Sequence, residues 1–308
     1  MGVADRFYTP GIDTTNDGFE VDYREHLLDV NGVSVHIYEW RPEREPVALI
    51  HISHGAGEHA RRYQRLANDL TAAGYAVIAN DHIGHGRTGV NNKGIGVMGV
   101  HGMRDSIRVV RRVIEWGKEL YPGIPFVEFG HSWGSLMGQQ ILATNPTIFD
   151  AVVWSGTTLL IPGIANTGNF NEPWDGDGHG MSWLTRDKAE IKWMIDDRYG
   201  FDIGQSDMLD MPAVLGAFSV PRPLLMGRAA RVPMYILGGS EDEVSNRGRG
   251  ARALAWCYRH LSRMHDVTLR IYDGARHEVF NELNRADATT DLIEWLDWHL
   301  RAPSELGR

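Results

Sequence analysis

Cysteine is nearly absent from this 308-residue chain. Cys257 stands alone in the helical run Ala251–Tyr258, so no intramolecular disulfide can form, which suits a reducing compartment. It reads as a small buried hydrophobe. Positive charge is also short: 31 Lys and Arg face 40 Asp and Glu, a formal charge of −9, with no dense basic cluster. Phosphate binding needs clustered Lys and Arg, so a nucleic-acid surface is excluded. There is no run of 18 apolar residues and hence no membrane span. Met1–Pro10 shows no basic stretch followed by an apolar run, so no signal peptide and a cytoplasmic location are expected. Internal repeats and low-complexity tracts are missing too. What remains is a chain with 43% hydrophobic residues, enough for a large core, and one domain with an insertion is the expectation for its length.

Apolar runs alternate with helical patterns along most of the sequence. Glu25–Asp29 and Val33–Tyr38 flank Val30-Asn31-Gly32, a strong hairpin signal. Strands are then predicted at 47–53, 76–80, 124–129, 151–154, 232–238 and 267–273, and helices near 61–73, 102–119, 135–144, 247–263 and 285–300. That alternation predicts an α/β fold with a mostly parallel, doubly wound sheet. The alternation stops between Ser155 and Ala230, where Gly, Pro, Met and Trp take over. The expected organisation is an N-terminal arm (1–22), a core (23–154 and 231–301), an inserted cap (155–230) and a tail (302–308). Within the cap, Ile191, Met194, Ile195 and Tyr199 recur at helical spacing. The stripe reads either as an acyl-chain wall or as the cap's own core. Phe170, Trp174, Trp183, Met208, Leu209, Met211, Phe218, Leu224, Leu225 and Met226 add an adaptable apolar lining.

The most informative segment is Gly130-His131-Ser132-Trp133-Gly134, between a strand pattern and a helix pattern. A G-x-S-x-G on a strand-to-helix turn is a nucleophile elbow, which lifts the serine hydroxyl clear of the sheet. The partners of such a serine follow it in sequence, each in a loop after a later strand. Gly238–Val244 leaves one predicted strand and Asp273–Glu278 leaves the next. His277 is the candidate base, because an imidazole can take and return a proton at neutral pH. Asp242 is the candidate carboxylate that orients it, with Glu241, Glu243 and Asp273 as competitors. His54-Gly55-Ala56-Gly57-Glu58-His59 ends an earlier strand. Such a turn supplies a second backbone N–H to an oxyanion, so Ala56 and Trp133 are the candidate donors.

With these pieces in view the chain resembles a known family. His54–His59 with Arg62-Tyr63, Asp81–Thr88, Gly130–Gly134, Ser240-Glu241-Asp242, and Ala275–Glu278 with Asn281-Glu282 are similar to the successive signatures of the monoglyceride lipase and lysophospholipase group. That group belongs to the α/β-hydrolases, and its bacterial members are often labelled serine aminopeptidase-like. The resemblance runs from about Tyr23 to Leu300. It implies an α/β-hydrolase fold with Ser132, Asp242 and His277 as the triad and Ala56 and Trp133 as oxyanion donors. One departure is Ser135, where many members carry a second glycine.

Other patterns in the chain lead elsewhere. Gly84–Gly89 and Gly94–Gly99 match a dinucleotide fingerprint, but Val90–Gly94 opens no helix for a pyrophosphate and no strand precedes the second match. His51, His54, His59, His82 and His85 invite a metal, yet no Cys or carboxylate set completes a site, so they read as braces beneath the serine. Asp175–His179 lacks the terminal glutamate of a calcium loop. No cofactor and no metal are therefore expected. The expected function is hydrolysis of monoacylglycerols or lysophospholipids through an acyl-enzyme. The alternatives are a thioesterase or small-ester carboxylesterase with the same machinery, or a ligand receptor on the same fold. A lipid ester is the expected small-molecule partner, with transient contact between the cap and a membrane surface as a candidate interaction.

Overall fold

A computed structural model of the chain describes residues 23–99, 101–161, 163–164, 166, 168–174, 176, 178–203, 206 and 231–301. The expected arm and tail lie outside these residues. So do Asp175, Asp177 and the cap residues Met208, Leu209, Met211, Phe218, Leu224, Leu225 and Met226.

Eight strands form one sheet: β1 (Arg24–Val30), β2 (Val33–Trp40), β3 (Leu49–Ser53), β4 (Ala76–Asn80), β5 (Phe126–His131), β6 (Ala151–Ser155), β7 (Met234–Gly239) and β8 (Val267–Tyr272). Their order is β1-β2-β4-β3-β5-β6-β7-β8. β2 runs antiparallel to both β1 and β4, while β3 with β4, β6 with β7 and β7 with β8 are parallel. This is the predicted α/β class. Strands β3 to β7 are buried at every position, as expected of parallel strands covered on both faces. The hairpin forms at the predicted turn. Val30 faces Val33, and Asn31 (φ 54°) and Gly32 (φ 83°) both adopt the left-handed conformation that a two-residue turn between twisted strands requires.

The chain divides into two compact units. The first contains the described residues up to Glu128 together with those from Arg198 to Ser206. Its helices are α1 (Gln64–Ala72), α2 (Gly86–Asn91) and α3 (Met103–Leu120). No helix opens at Val90–Gly94, as expected, but α2 begins earlier, inside the Gly84–Gly89 match. The reason is Asp81, whose carboxylate accepts the Arg87 N–H at 2.7 Å and the Ala60 N–H at 2.9 Å. It caps the helix from outside its own sequence window. The same carboxylate occupies the place a pyrophosphate would need, so the helix offers no anion site.

Four buried histidines of this unit fall into two electrostatic classes. His51 is fully buried and lies between Glu128 Oε2 (2.7 Å) and Asn80 Oδ1 (2.9 Å), while Ser53 donates to Glu128 Oε1 at 2.7 Å. Burial opposes its charge, but the Glu128 carboxylate and the hydrogen bonds prevail and raise its pKa. His54, His82 and His85 behave in the opposite way, with burial the first cause of their lowered pKa values. Their lone pairs are in use: His54 Nε2 accepts the His82 N–H at 3.1 Å and His85 Nε2 accepts the Gly57 N–H at 3.2 Å. His85 is pushed down to about 4.

The second unit contains Phe129–Asp197 and the described residues from Arg231 onward. It holds β6, β7 and β8 with helices α4 (Trp133–Thr144), α5 (Lys188–Asp196), α6 (Arg249–His260) and α7 (Arg285–Leu300). Cys257 is buried on α6. Among the described residues no helix is long and apolar enough to cross a membrane.

The neutral histidines imply a pH response with a definite sign. An unfolded chain protonates them near pH 6.5, whereas the folded chain does not until about pH 4 at His85. Stability is therefore lost as pH falls through this window, by about 2 kcal/mol from His85 alone at pH 5. His51 has the opposite sign, since its pair with Glu128 stabilises below the unfolded pKa and is lost as pH rises through the folded one. Urea unfolding at pH 7.5 and pH 5 should give a lower free energy at pH 5, and His85→Gln should flatten the difference. Equal values at the two pH settings in the wild type contradict the assignment.

Candidate active site

Ser132 occupies the single residue between the end of β5 and the start of α4. Its backbone has φ 48° and ψ −115°, a region an L-residue enters at a cost of about 1–3 kcal/mol. The surroundings hold it there. Its N–H donates to the Ser155 carbonyl at the end of β6 (2.9 Å), and its own carbonyl accepts from Leu136 N (3.2 Å) and Ser135 Oγ (2.6 Å). Ser135, the departure from the family pattern, also pairs with the Thr157 hydroxyl at 2.8 Å and thereby ties the first turn of α4 to the segment after β6. A side chain at Gly130 would meet Ser135 Cα at 2.6 Å, so only glycine permits this approach. Ser132 is half-buried between the buried residues His131 and Trp133.

The structure brings Asp242 and His277 together from the loops after β7 and β8. His277 Nδ1 lies 3.0 Å from Asp242 Oδ1, which also accepts the Val244 N–H at 3.0 Å, and both side chains are buried. The carboxylate can only accept, so Nδ1 carries the proton and Nε2 is left with its lone pair. Burial works against the Asp242 charge, yet His277 and the hydrogen bonds hold its pKa below the usual carboxylate range. Glycine is again decisive. A Cβ on Gly239 would overlap the Ala275 and Arg276 carbonyls, so the two loops could not close on each other. The rival carboxylates point elsewhere. Glu243 pairs with Arg247 at 2.9 Å, and exposed Asp273 accepts weakly from Ser240 Oγ at 3.5 Å, while Glu241 is exposed.

Among the described residues, neither backbone N–H that the sequence predicts as an oxyanion donor has an acceptor. Trp133 opens α4, so its N–H has no intrahelical acceptor. In the first unit, Gly55 N donates to Glu58 Oε1 at 2.5 Å and Gly57 N to His85 Nε2, while the Ala56 N–H between them makes no bond among the described residues. The α5 stripe divides. Ile191 and Met194 are buried, whereas Ile195 is 51% exposed, and Tyr199 belongs to the first unit. Sequence reasoning missed one neighbour of the site. Trp183 rests on the His277 ring, with centroids 5.2 Å apart. Its signal was only membership of an aromatic-rich segment without a motif.

The pattern of the serine aminopeptidase S33 family matches residues 44–284. The chain belongs to that family of α/β-hydrolases. It is 32% identical to human monoglyceride lipase over 275 residues, which is 84% of each chain. It is 26% identical to a monoacylglycerol lipase of Mycolicibacterium smegmatis, over 90% of this chain and 98% of that one. A thermostable carboxyl esterase from Bacillus coagulans shares the fold, with a TM-score of 0.80 at 21% identity, over 90% of this chain and 99% of that one. The protein is thus a serine hydrolase of the lipase and esterase kind.

The carboxylate geometry makes a selective prediction. Asp242→Asn presents an amide to Nδ1 and favours the wrong tautomer, so ester turnover should fall on the order of 10^3- to 10^4-fold. Asp273→Asn should stay within about threefold of wild type, because its loss leaves the His277 contact untouched. Steady-state rates on one soluble ester compare the two, and a larger loss from Asp273→Asn reverses the assignment.

Proposed function

We propose that this protein hydrolyses monoacylglycerols, or their lysophospholipid analogues, through an acyl-enzyme. The observation that carries the reading is the buried Asp242–His277 hydrogen bond in a chain that also holds Ser132 on a strained strand-to-helix turn. Its likeness to monoglyceride lipases over most of its length supports the substrate class.

In this reading Ser132 Oγ attacks the ester carbonyl while His277 Nε2 takes its proton. Asp242 keeps the imidazole in the right tautomer and stabilises the imidazolium. The N–H groups of Trp133 and Ala56 receive the oxyanion, and each such donor contributes about 2.7–4 kcal/mol to the transition state. His277 then returns the proton to the leaving alcohol, and water, deprotonated by the same imidazole, releases the fatty acid. No step asks for a metal or an organic cofactor. Ile191 and Met194 on α5, within the expected cap, contribute an acyl-facing apolar surface. Ile195, being half exposed, fits a role at a lipid surface better than one in a closed pocket.

A panel of monoacylglycerols, lysophospholipids, acyl-CoA thioesters and short esters at matched chain lengths tests this directly, with Ser132→Ala as the control. Each buried methylene contributes about 0.8 kcal/mol, so kcat/KM should climb by roughly fourfold per carbon from short to medium chains before levelling off. Faster thioester than monoacylglycerol turnover sinks the substrate assignment. Ile191→Asp should cut long-chain rates while sparing an acetate ester, and Ile195→Asp should spare both on monomeric substrate. If Ile191→Asp lowers both rates together with the melting temperature, α5 merely packs.

A further inference from the structure

The segment Ser182–Asp187, which the proposed mechanism does not use, is bound along its whole length to the loop that carries His277. The His277 N–H donates to the Trp183 carbonyl (3.4 Å) and the Glu278 N–H to the Leu184 carbonyl (2.8 Å). Arg276 Nη1 donates to the carbonyls of Ser182 (2.5 Å) and Thr185 (3.1 Å), and its guanidinium stacks 4.1 Å from the Trp174 ring. Thr185 Oγ1 donates to the Asn281 carbonyl at 2.7 Å. Glu282, fully buried, receives Arg186 N, Arg186 Nε (2.8 Å) and Arg276 N, and Arg285 pairs with Asp187 at 2.8 Å. Charge-assisted bonds to a buried carboxylate are among the stronger contacts a protein makes, so this strap is fixed.

What the strap delivers is one indole. The Trp183 ring lies 5.2 Å from the His277 ring at an interplanar angle of 32°, and Phe170 backs it at 5.2 Å. The bond to Asp242 secures only the Nδ1 edge of the imidazole, and a ring held at one edge can still tilt. An aromatic face against it restricts that tilt and favours a positive charge on the imidazole. Titratable groups that face His277 include Asp242 from the loop after β7 and His131 from the end of β5, whose ring is 4.8 Å away. Of the charged residues near it in sequence, Arg276 faces Trp174 and the strap carbonyls, and Glu278 accepts from Asn281.

We propose that Trp183 is a positioning residue for His277: the strap holds its indole against the imidazole, aiming Nε2 and favouring the imidazolium that forms when Ser132 gives up its proton. This rests on the reading of His277 as the base. The test compares wild type, Trp183→Phe, Trp183→Leu and His277→Ala on a short-chain ester from pH 5 to 9, with rates expressed per fluorophosphonate-titrated serine so that misfolded protein is not counted. Trp183→Leu should lower kcat about tenfold, leave KM within about twofold, and move the acid limb of kcat/KM down by about 0.5 pH unit. Trp183→Phe keeps an aromatic face and should restore most of both. An unchanged kcat and acid limb in Trp183→Leu overturns the proposal, as does identical behaviour of the Phe and Leu variants. Activity retained by His277→Ala overturns the underlying reading of the base instead. An inactive His277→Ala beside an unaltered Trp183→Leu overturns the role of Trp183 alone.

Discussion

Two buried groups, the carboxylate of Asp242 and the imidazole of His277, meet at 3.0 Å, and much of the second unit is arranged so that they can. A lone buried carboxylate would pick up a proton rather than remain charged. Here the imidazole N–H and the Val244 N–H keep it ionised. The contact demands that two loops from neighbouring parallel strands come closer than side chains normally allow, which is why Gly239 has no substitute. It also demands that the His277 loop stay put, which the contacts to Ser182–Asp187 ensure. The strained backbone of Ser132 follows the same logic on the adjacent strands, held by the Ser155 carbonyl and by Ser135.

The first unit solves a different electrostatic problem. Glu128 raises the pKa of His51, whereas burial lowers those of His54, His82 and His85; His54 and His85 accept backbone N–H groups through Nε2, and His82 Nδ1 faces the Asn80 amide at 3.3 Å. A protonated His85 could not accept from Gly57, and the turn that contains Ala56 would lose one of its anchors. The chemistry of that turn therefore depends on burial keeping a histidine uncharged, with no metal needed to explain the cluster.

Much of this was legible in the residues themselves. Asn31-Gly32 specified its hairpin because two successive left-handed residues have few sequence solutions. The strands from 49 onward lay within two residues of their predicted bounds, since a buried parallel strand is a short apolar run between turn signals. The serine turn and the loops with Asp242 and His277 were legible because glycine and proton-transfer chemistry tolerate few alternatives. Helix α2 was not legible, because its first turn is held by Asp81, several residues ahead of the helix, and not by a side chain at the N-cap position. The stripe on α5 was half right: helical spacing groups Ile191, Met194 and Ile195, but a nine-residue helix buries a narrow face, and Ile195 falls beyond it. The strap left no trace in the sequence, for its bonds join residues some 90 positions apart and run largely to backbone carbonyls that any residue possesses.

The central claim is that one serine, activated by the Asp242–His277 pair, performs the covalent step. Peptide mapping by mass spectrometry after reaction with a fluorophosphonate addresses it most directly, because only an activated serine attacks such a phosphorus centre. The account predicts one phosphonyl group per chain, on the peptide containing Ser132, with labelling abolished in Ser132→Ala and strongly slowed in His277→Ala. Stoichiometric labelling of any other residue, or undiminished labelling of Ser132→Ala, would contradict it.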